Sequence, residues 1–213
     1  MTTPPTVEQS WSRVETWLAR HAPVTHGLLR PPALPEDIAT AERRLGVTFP
    51  ADLRESLLRH NGVQLDDGAL TFSYYGPLSG IGEIVESTEF LRKCAEEVDE
   101  SEEEADVLAR GLDIEAYRDE LACWPAGRLL ITLGIGWQSS DGLFLTARQG
   151  PNYGRLGYWF DEDAPYFTEW SRLREFLADF ATALETGTPF DKQMPRVVEG
   201  RLEWHRDDTA TGP

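Results

Sequence analysis

The chain has 213 residues and carries 37 acidic against 20 basic side chains, a formal net charge of −17. That balance argues against a nucleic-acid backbone as partner, because phosphates are neutralised by Lys and Arg, and it favours a basic partner drawn in by the opposite field. No apolar run approaches the roughly 20 residues a membrane helix needs, and residues 1–10 have neither a basic start nor an apolar segment, so the expectation is a cytoplasmic protein with no secretion signal.

In chain order, the first element predicted is a helix over about Val7 to Arg20, opened by a Thr6–Gln9 capping box, with Val7, Trp11, Val14 and Leu18 on one face. A Pro-rich, low-charge linker, Pro23 to Pro32, leads into two short helices. Pro35 suits the first turn of one of them, Glu36 and Asp37 lie at the positive end of its dipole, and Ile38, Ala41 and Leu45 form its apolar stripe. Gly46 suits a left-handed cap, with Val47 supplying the hydrophobic contact beyond it. Pro50 opens the second helix, Leu53, Leu57 and Leu58 line it, and Asn61-Gly62 closes it with two residues tolerant of positive φ.

Ala69 to Tyr75 alternates and is rich in β-formers, so it reads as a strand ended by Gly76-Pro77. A helix follows from Gly82 or Glu83, with Ile84, Thr88, Leu91, Ala95 and Val98 at helical spacing. The block Glu96 to Asp106 holds eight acids in eleven residues. It reads either as a solvated insertion or as a contact surface for a basic partner. Another helix is expected near Asp113 to Cys123. Beyond Arg128 the pattern turns to strands: 129–133, 143–146 after an Asp141-Gly142 turn, 154–160 and 166–168. Thr168 then caps a helix striped by Trp170, Leu173, Leu177, Phe180 and Leu184 and ended by Gly187. The expected organisation is an N-terminal helix (1–22), a core domain (23–187) with the acidic insertion 96–106, and a tail (188–213) in which Val197, Val198, Leu202 and Trp204 dock back and residues from Asp207 are disordered.

The string from Leu34-Pro35 through Ile38, Glu42, Leu45-Gly46, Phe49-Pro50 and Leu53 to Asn61-Gly62 resembles the SUKH superfamily, the group of Smi/Knr-type cell-wall assembly regulators and bacterial immunity proteins. About thirty residues carry the likeness, and residues 7 to 187 fit it more loosely. It implies a non-enzymatic α+β binding domain, a single antiparallel sheet of about four to six strands packed against several helices. The function implied is that of a bacterial immunity protein neutralising a basic, nuclease-like toxin. A regulatory scaffold of cell-wall assembly type and an uncharacterised small-molecule enzyme stay open as alternatives.

Catalytic motifs are weak. Gly134-Ile-Gly136 lacks the third glycine of a dinucleotide fingerprint, Ser139-Ser140-Asp141 has no neighbouring histidine, and Asp161-Glu162-Asp163 reads better as a polar turn than as an acid–base pair. Cys94, Cys123 and four scattered histidines show no ligand spacing, so no metal and no cofactor are expected. The residues expected to meet a protein partner are Glu102, Glu103, Glu104 and Asp106 of the acidic block, Trp137 and Asp141 in the Gly-rich strand region, and Asp161, Glu162 and Asp163, because exposed aromatics beside acids form binding hot spots. Trp11, Trp17, Trp124 and Trp170 are expected in the core.

Overall fold

A computed structural model describes residues 5–97, 130–133, 142–147, 150–160 and 163–206, with residues 74, 91–97, 130–133, 159–160 and 163–166 described by their backbone alone. Helix α1 (Val7–His21) starts at the expected box: Gln9 N donates to Thr6 Oγ1 at 3.1 Å and Thr6 N to Gln9 Oε1 at 2.9 Å. Trp11, Val14 and Leu18 are fully buried. The helix lies against α6 (Leu173–Thr186), and its apolar face is part of the core.

The expected linker contains helix α2 (Pro23–Gly27), short enough to escape any periodicity, with proline in its first turn. Helices α3 (Pro35–Leu45) and α4 (Ala51–Leu57) follow as expected, except that Pro50 precedes the first turn of α4 as its cap. Gly46 adopts φ 70°, while Gly46 N donates to Arg43 O and Val47 N to Glu42 O, a paired C-terminal cap that satisfies two orphan carbonyls. The predicted strand 69–75 is a correction. Thr71 and Pro77 make a single bridge, and residues 73–75 form a 3₁₀ turn in which Ser73 has φ 58°. Leu70 and Phe72 are buried, as alternation requires, but Phe72 N bonds Gly76 O and the chain reverses before a strand can extend. Helix α5 (Ile81–Glu97) buries Ile84, Val85 and Thr88.

Strands β1 (Leu130–Leu133), β2 (Gly142–Thr146), β3 (Leu156–Phe160) and β4 (Asp163–Phe167) form an antiparallel sheet in that order. Every residue of β2 is buried, so both faces of the sheet are covered. Gly157 lies beneath the Phe144 ring, where an added Cβ would fall 2.0 Å from it; the aromatic covers the backbone that glycine leaves bare. Thr168 does not cap α6: its backbone N–H returns to Leu156 O and its hydroxyl faces Leu156 O and Trp170 O. The helix starts at Leu173, where the Asp52 carboxylate accepts from Arg174 N at 3.2 Å. Leu173, Phe176, Leu177, Phe180 and Leu184 are buried, and the Phe176 ring meets Phe72, Trp170 and Phe190 edge-on.

Where a tail was expected, strands β5 (Gln193–Val198) and β6 (Arg201–Arg206) form a hairpin closed by Glu199-Gly200, both at positive φ. Leu202 is buried and Trp204 packs on the core, its Nε1 donating to Thr71 O at 3.0 Å. The fold is therefore α+β. Among the described residues its strands divide between a four-stranded sheet and this separate hairpin, not the single sheet expected.

Candidate functional site

The strongest motif of the sequence builds a backbone crossing. Gly62 (φ 75°) runs over Ser79-Gly80 so closely that a Cβ on Gly62 would lie 2.3 Å from Gly80 N, and one on Gly80 would lie 2.4 Å from Asn61 O. Asn61 Oδ1 accepts from Ile81 N at 2.8 Å and so starts α5. Glu83 Oε2 accepts from Gly80 N at 3.0 Å and its other oxygen pairs with Arg30 at 2.7 Å. Glu42 accepts from Phe49 N at 2.6 Å and from Arg54 Nε at 2.9 Å, which ties α3 to the start of α4.

Beside this crossing, Glu15 on α1 accepts from Arg59 Nη2 at 2.6 Å and faces His60 Nε2 at 2.9 Å, while His60 Nδ1 faces Arg30 O at 3.0 Å. Burial pushes the Glu15 carboxyl up, but the hydrogen bonds from Arg59 and His60 outweigh it and hold the group below the usual carboxylate range. Each of these polar groups is bound to a neighbour within the chain, so the cluster joins elements. Among the described residues, no group of three or more His, Cys, Asp or Glu side chains is placed to hold a metal, and no helix is long and apolar enough to cross a membrane.

Of the residues singled out in the sequence, Glu102, Glu103, Glu104, Asp106, Trp137, Asp141, Asp161 and Glu162 lie outside the described residues, as do the helix expected near 113–123, Trp124 and Cys123. Asp163 is placed by its backbone as the first residue of β4, opposite Phe160, while Gly142 belongs to β2 opposite Trp159 rather than to a turn. Trp11 and Trp170 are in the core, and Trp17 is half-buried against it.

A different face stands out among the described residues. Three segments meet at Thr25, which is completely buried on α2: its hydroxyl donates to Gly68 O at 2.7 Å and accepts from Leu202 N at 2.9 Å. Val24 N donates to Gly200 O at 2.9 Å, which seats the hairpin turn on α2. Around this junction Val24, Leu65 and Val198 expose 39 to 51 % of their surface. Leu65 to Ala69 line an open groove of about 530 Å³ with Thr71 and Pro77. Asp66 and Asp67 are among its lining residues; Asp67 and, from the hairpin turn, Glu199 flank Arg201 at 3.2 and 3.3 Å, and the side chains of both are 81 % exposed. Scattered exposed aliphatics are ordinary, but a grouped set rimmed by charge marks an interaction surface. The signals for it were an Asp66-Asp67-Gly68 turn and the Val-Val-Glu-Gly-Arg-Leu alternation at 197–202.

Comparison with known proteins adds the following. The profile described as "SMI1 / KNR4 family (SUKH-1)" matches residues 32–179. Along 94 % of its length the chain is 33 % identical to the "Cell wall biosynthesis/cell cycle regulator smi1" of Schizosaccharomyces pombe, covering 42 % of that protein. It is 35 % identical over 40 % of its length to a "KNR4/SMI1 homolog" of Eremothecium gossypii, covering 14 % of that protein. With the "Uncharacterized protein YnaB" of Bacillus subtilis it shares 46 % identity over 28 % of its length and 38 % of the relative. The chain thus spans less than half the length of each of these relatives.

Proposed function

The chain belongs to the SMI1 / KNR4 family (SUKH-1), and on that premise we propose that it works by binding another protein through an acidic surface, not by catalysis. The observation that carries this reading is the net charge of −17 on a family member, because a field of that sign accelerates encounter with a basic surface and repels phosphates and anionic lipids. The name of the Schizosaccharomyces pombe relative, a regulator, supports binding over chemistry. Glu102, Glu103, Glu104, Asp106, Asp141, Asp161, Glu162 and Asp163 are the acids proposed to face the partner, with Trp137 as an aromatic anchor.

Two settings fit this activity. A regulatory scaffold for cell-wall assembly follows from the name of that relative. An immunity protein that covers a basic, nuclease-like toxin follows from the charge. Affinity purification of the tagged chain from its own cells, with quantitative mass spectrometry at about 50 and about 500 mM salt, tests the reading, since the two concentrations bracket the range over which surface charges are screened. The expected result is a protein partner recovered in stoichiometric amount at low salt and reduced at high salt. Several partners identify the scaffold; one tight partner whose toxicity the chain relieves identifies the immunity protein. Absence of any stoichiometric partner at either salt concentration would refute both.

A further inference from the structure

We propose that the face made by α2, the 65–71 loop and the β5–β6 turn is a docking site for an extended, basic segment of a partner protein, one with an aliphatic side chain flanked by Lys or Arg. The inference rests on the reading of the chain as a protein-binding domain and adds a second place of contact, apart from the acids named above, with its own chemistry.

The aliphatic part comes from Val24, Leu65 and Val198, each well exposed although Thr25, Leu70 and Leu202 are buried; Val198 pairs with Arg201 and shares its face of the hairpin. These side chains cost solvation in the free protein and gain by covering an apolar residue. The charged part comes from Asp66, Asp67 and Glu199, three carboxylates against the single guanidinium of Arg201. Arg201 lies over Gly68, its Cγ 2.8 Å from where a Cβ would stand, so glycine there leaves room for the Arg201 stem.

The same residues decide among occupants. A second copy of this chain would bring Asp66, Asp67 and Glu199 against their own equivalents on a molecule of net charge −17, and like charges brought together oppose association. Anionic lipid and nucleic acid fail for the same reason. Strand addition to the hairpin is also disfavoured. Glu199 and Gly200 make a two-residue turn, so Val198 and Arg201 exchange the first pair of hydrogen bonds and Gln193, Pro195 and Val197 turn their backbone groups to the outer edge of β5. There Pro195 has no N–H to give, and Gln193 already exchanges both bonds with Phe190. Recognition is left to side chains, and a basic segment with an aliphatic anchor matches them in both sign and polarity.

The full chain should be used to select from a phage-displayed library of random peptides, and the enriched peptides then titrated into isotope-labelled protein. The expected peptides carry Lys or Arg around an aliphatic residue and shift the amide resonances of Val24, Gly68, Val198 and Gly200. In the variant Val24→Ser/Val198→Lys they should bind at least about tenfold more weakly. In Asp66→Asn/Asp67→Asn, which keeps the hydrogen-bonding groups, binding should weaken several-fold and depend less on salt. An unchanged circular dichroism spectrum establishes that these variants are folded. Enrichment of acidic or uncharged peptides, absence of enrichment, or a dimer whose interface is this face would overturn the proposal. So would shifts confined to another face, but protein binding as the function would then stand, since only loss of the cellular partner removes it.

Discussion

The crossing at Gly62 and Gly80 and the face at Val24, Gly68 and Val198 are both built from glycine turns and short helices, yet they are organised in opposite ways. At the crossing two backbones touch, and Asn61, Glu83, Glu42 and Glu15 are each bound to a neighbour. At the face, Thr25 joins three segments from below, and the aliphatic side chains around it are left toward water. Where every polar group is satisfied internally, a residue can only be lost to the fold. Where aliphatics are left uncovered beside carboxylates, a residue can be lost without unfolding anything. The part of the chain that identifies the family is thus the part least able to vary in what it binds.

The largest effect is expected at the crossing. Gly62→Ala or Gly80→Ala places a methyl inside backbone contact distance and should cost at least about 3 kcal/mol, a large share of the stability of a domain this size; chemical denaturation measures it. A loss below about 1 kcal/mol would show that the backbones separate easily. Leu53→Ala, at a fully buried position on α4, should cost about 2–5 kcal/mol with a cavity left behind, again by denaturation midpoint. Asp52→Asn weakens the link from α4 to the first turn of α6, where the carboxylate accepts from Arg174 N and Nε. It should cost about 1–3 kcal/mol, at the lower end because Arg174 is 40 % exposed.

Acid sharpens the contrast. Glu15 and Glu185 are both held below the usual carboxylate range. For Glu15, burial opposes the shift and the bonds from Arg59 and His60 overcome it; for Glu185, the bond from Arg13 lowers it. Their stabilisation is complete above the ordinary carboxylate value of about 4.3 and is lost as the pH falls through the lower folded-state values. Thermal melts between pH 7 and pH 3 (about the span over which carboxylates titrate) should show falling stability at the acid end. Glu15→Gln should be less stable at pH 7 and show a flatter acid slope. An unchanged slope would remove Glu15 from that account. The smallest stability effect belongs to the face, where Val24→Ser/Val198→Lys should shift stability by no more than about 1 kcal/mol.

Much of this was legible in the residues. The Thr6–Gln9 box, Gly46 with Val47, and the Leu173–Leu184 stripe each carry a local chemistry that folding does not override. Other elements were hidden because long-range contacts decided them. Ala69 to Tyr75 alternates like a strand, but the return through Gly76-Pro77 leaves only one bridge. The α2 turn is too short for a period, and what fixes it is Thr25 reaching Gly68 and Leu202, 43 and 177 residues away. The β5–β6 hairpin escaped notice because its turn puts Glu199 at φ 51°, where Asn or Asp would have signalled it. For the candidate site the sequence points to Glu102, Glu103, Glu104, Asp106, Asp141 and residues 161–163, with Trp137. Asp66, Asp67 and Glu199 lie in shorter, less conspicuous runs, and only the fold sets them beside exposed valines.

The central claim is that family fold and partner contact reside in separate surfaces. The measurement that tests it most directly is the affinity of the cellular partner for Val24→Ser/Val198→Lys, compared with wild type in protein whose melting temperature has been matched. The account predicts a loss of at least about tenfold with the melt nearly unchanged. Full affinity in the stable variant, or affinity that falls only as the protein unfolds, would contradict it.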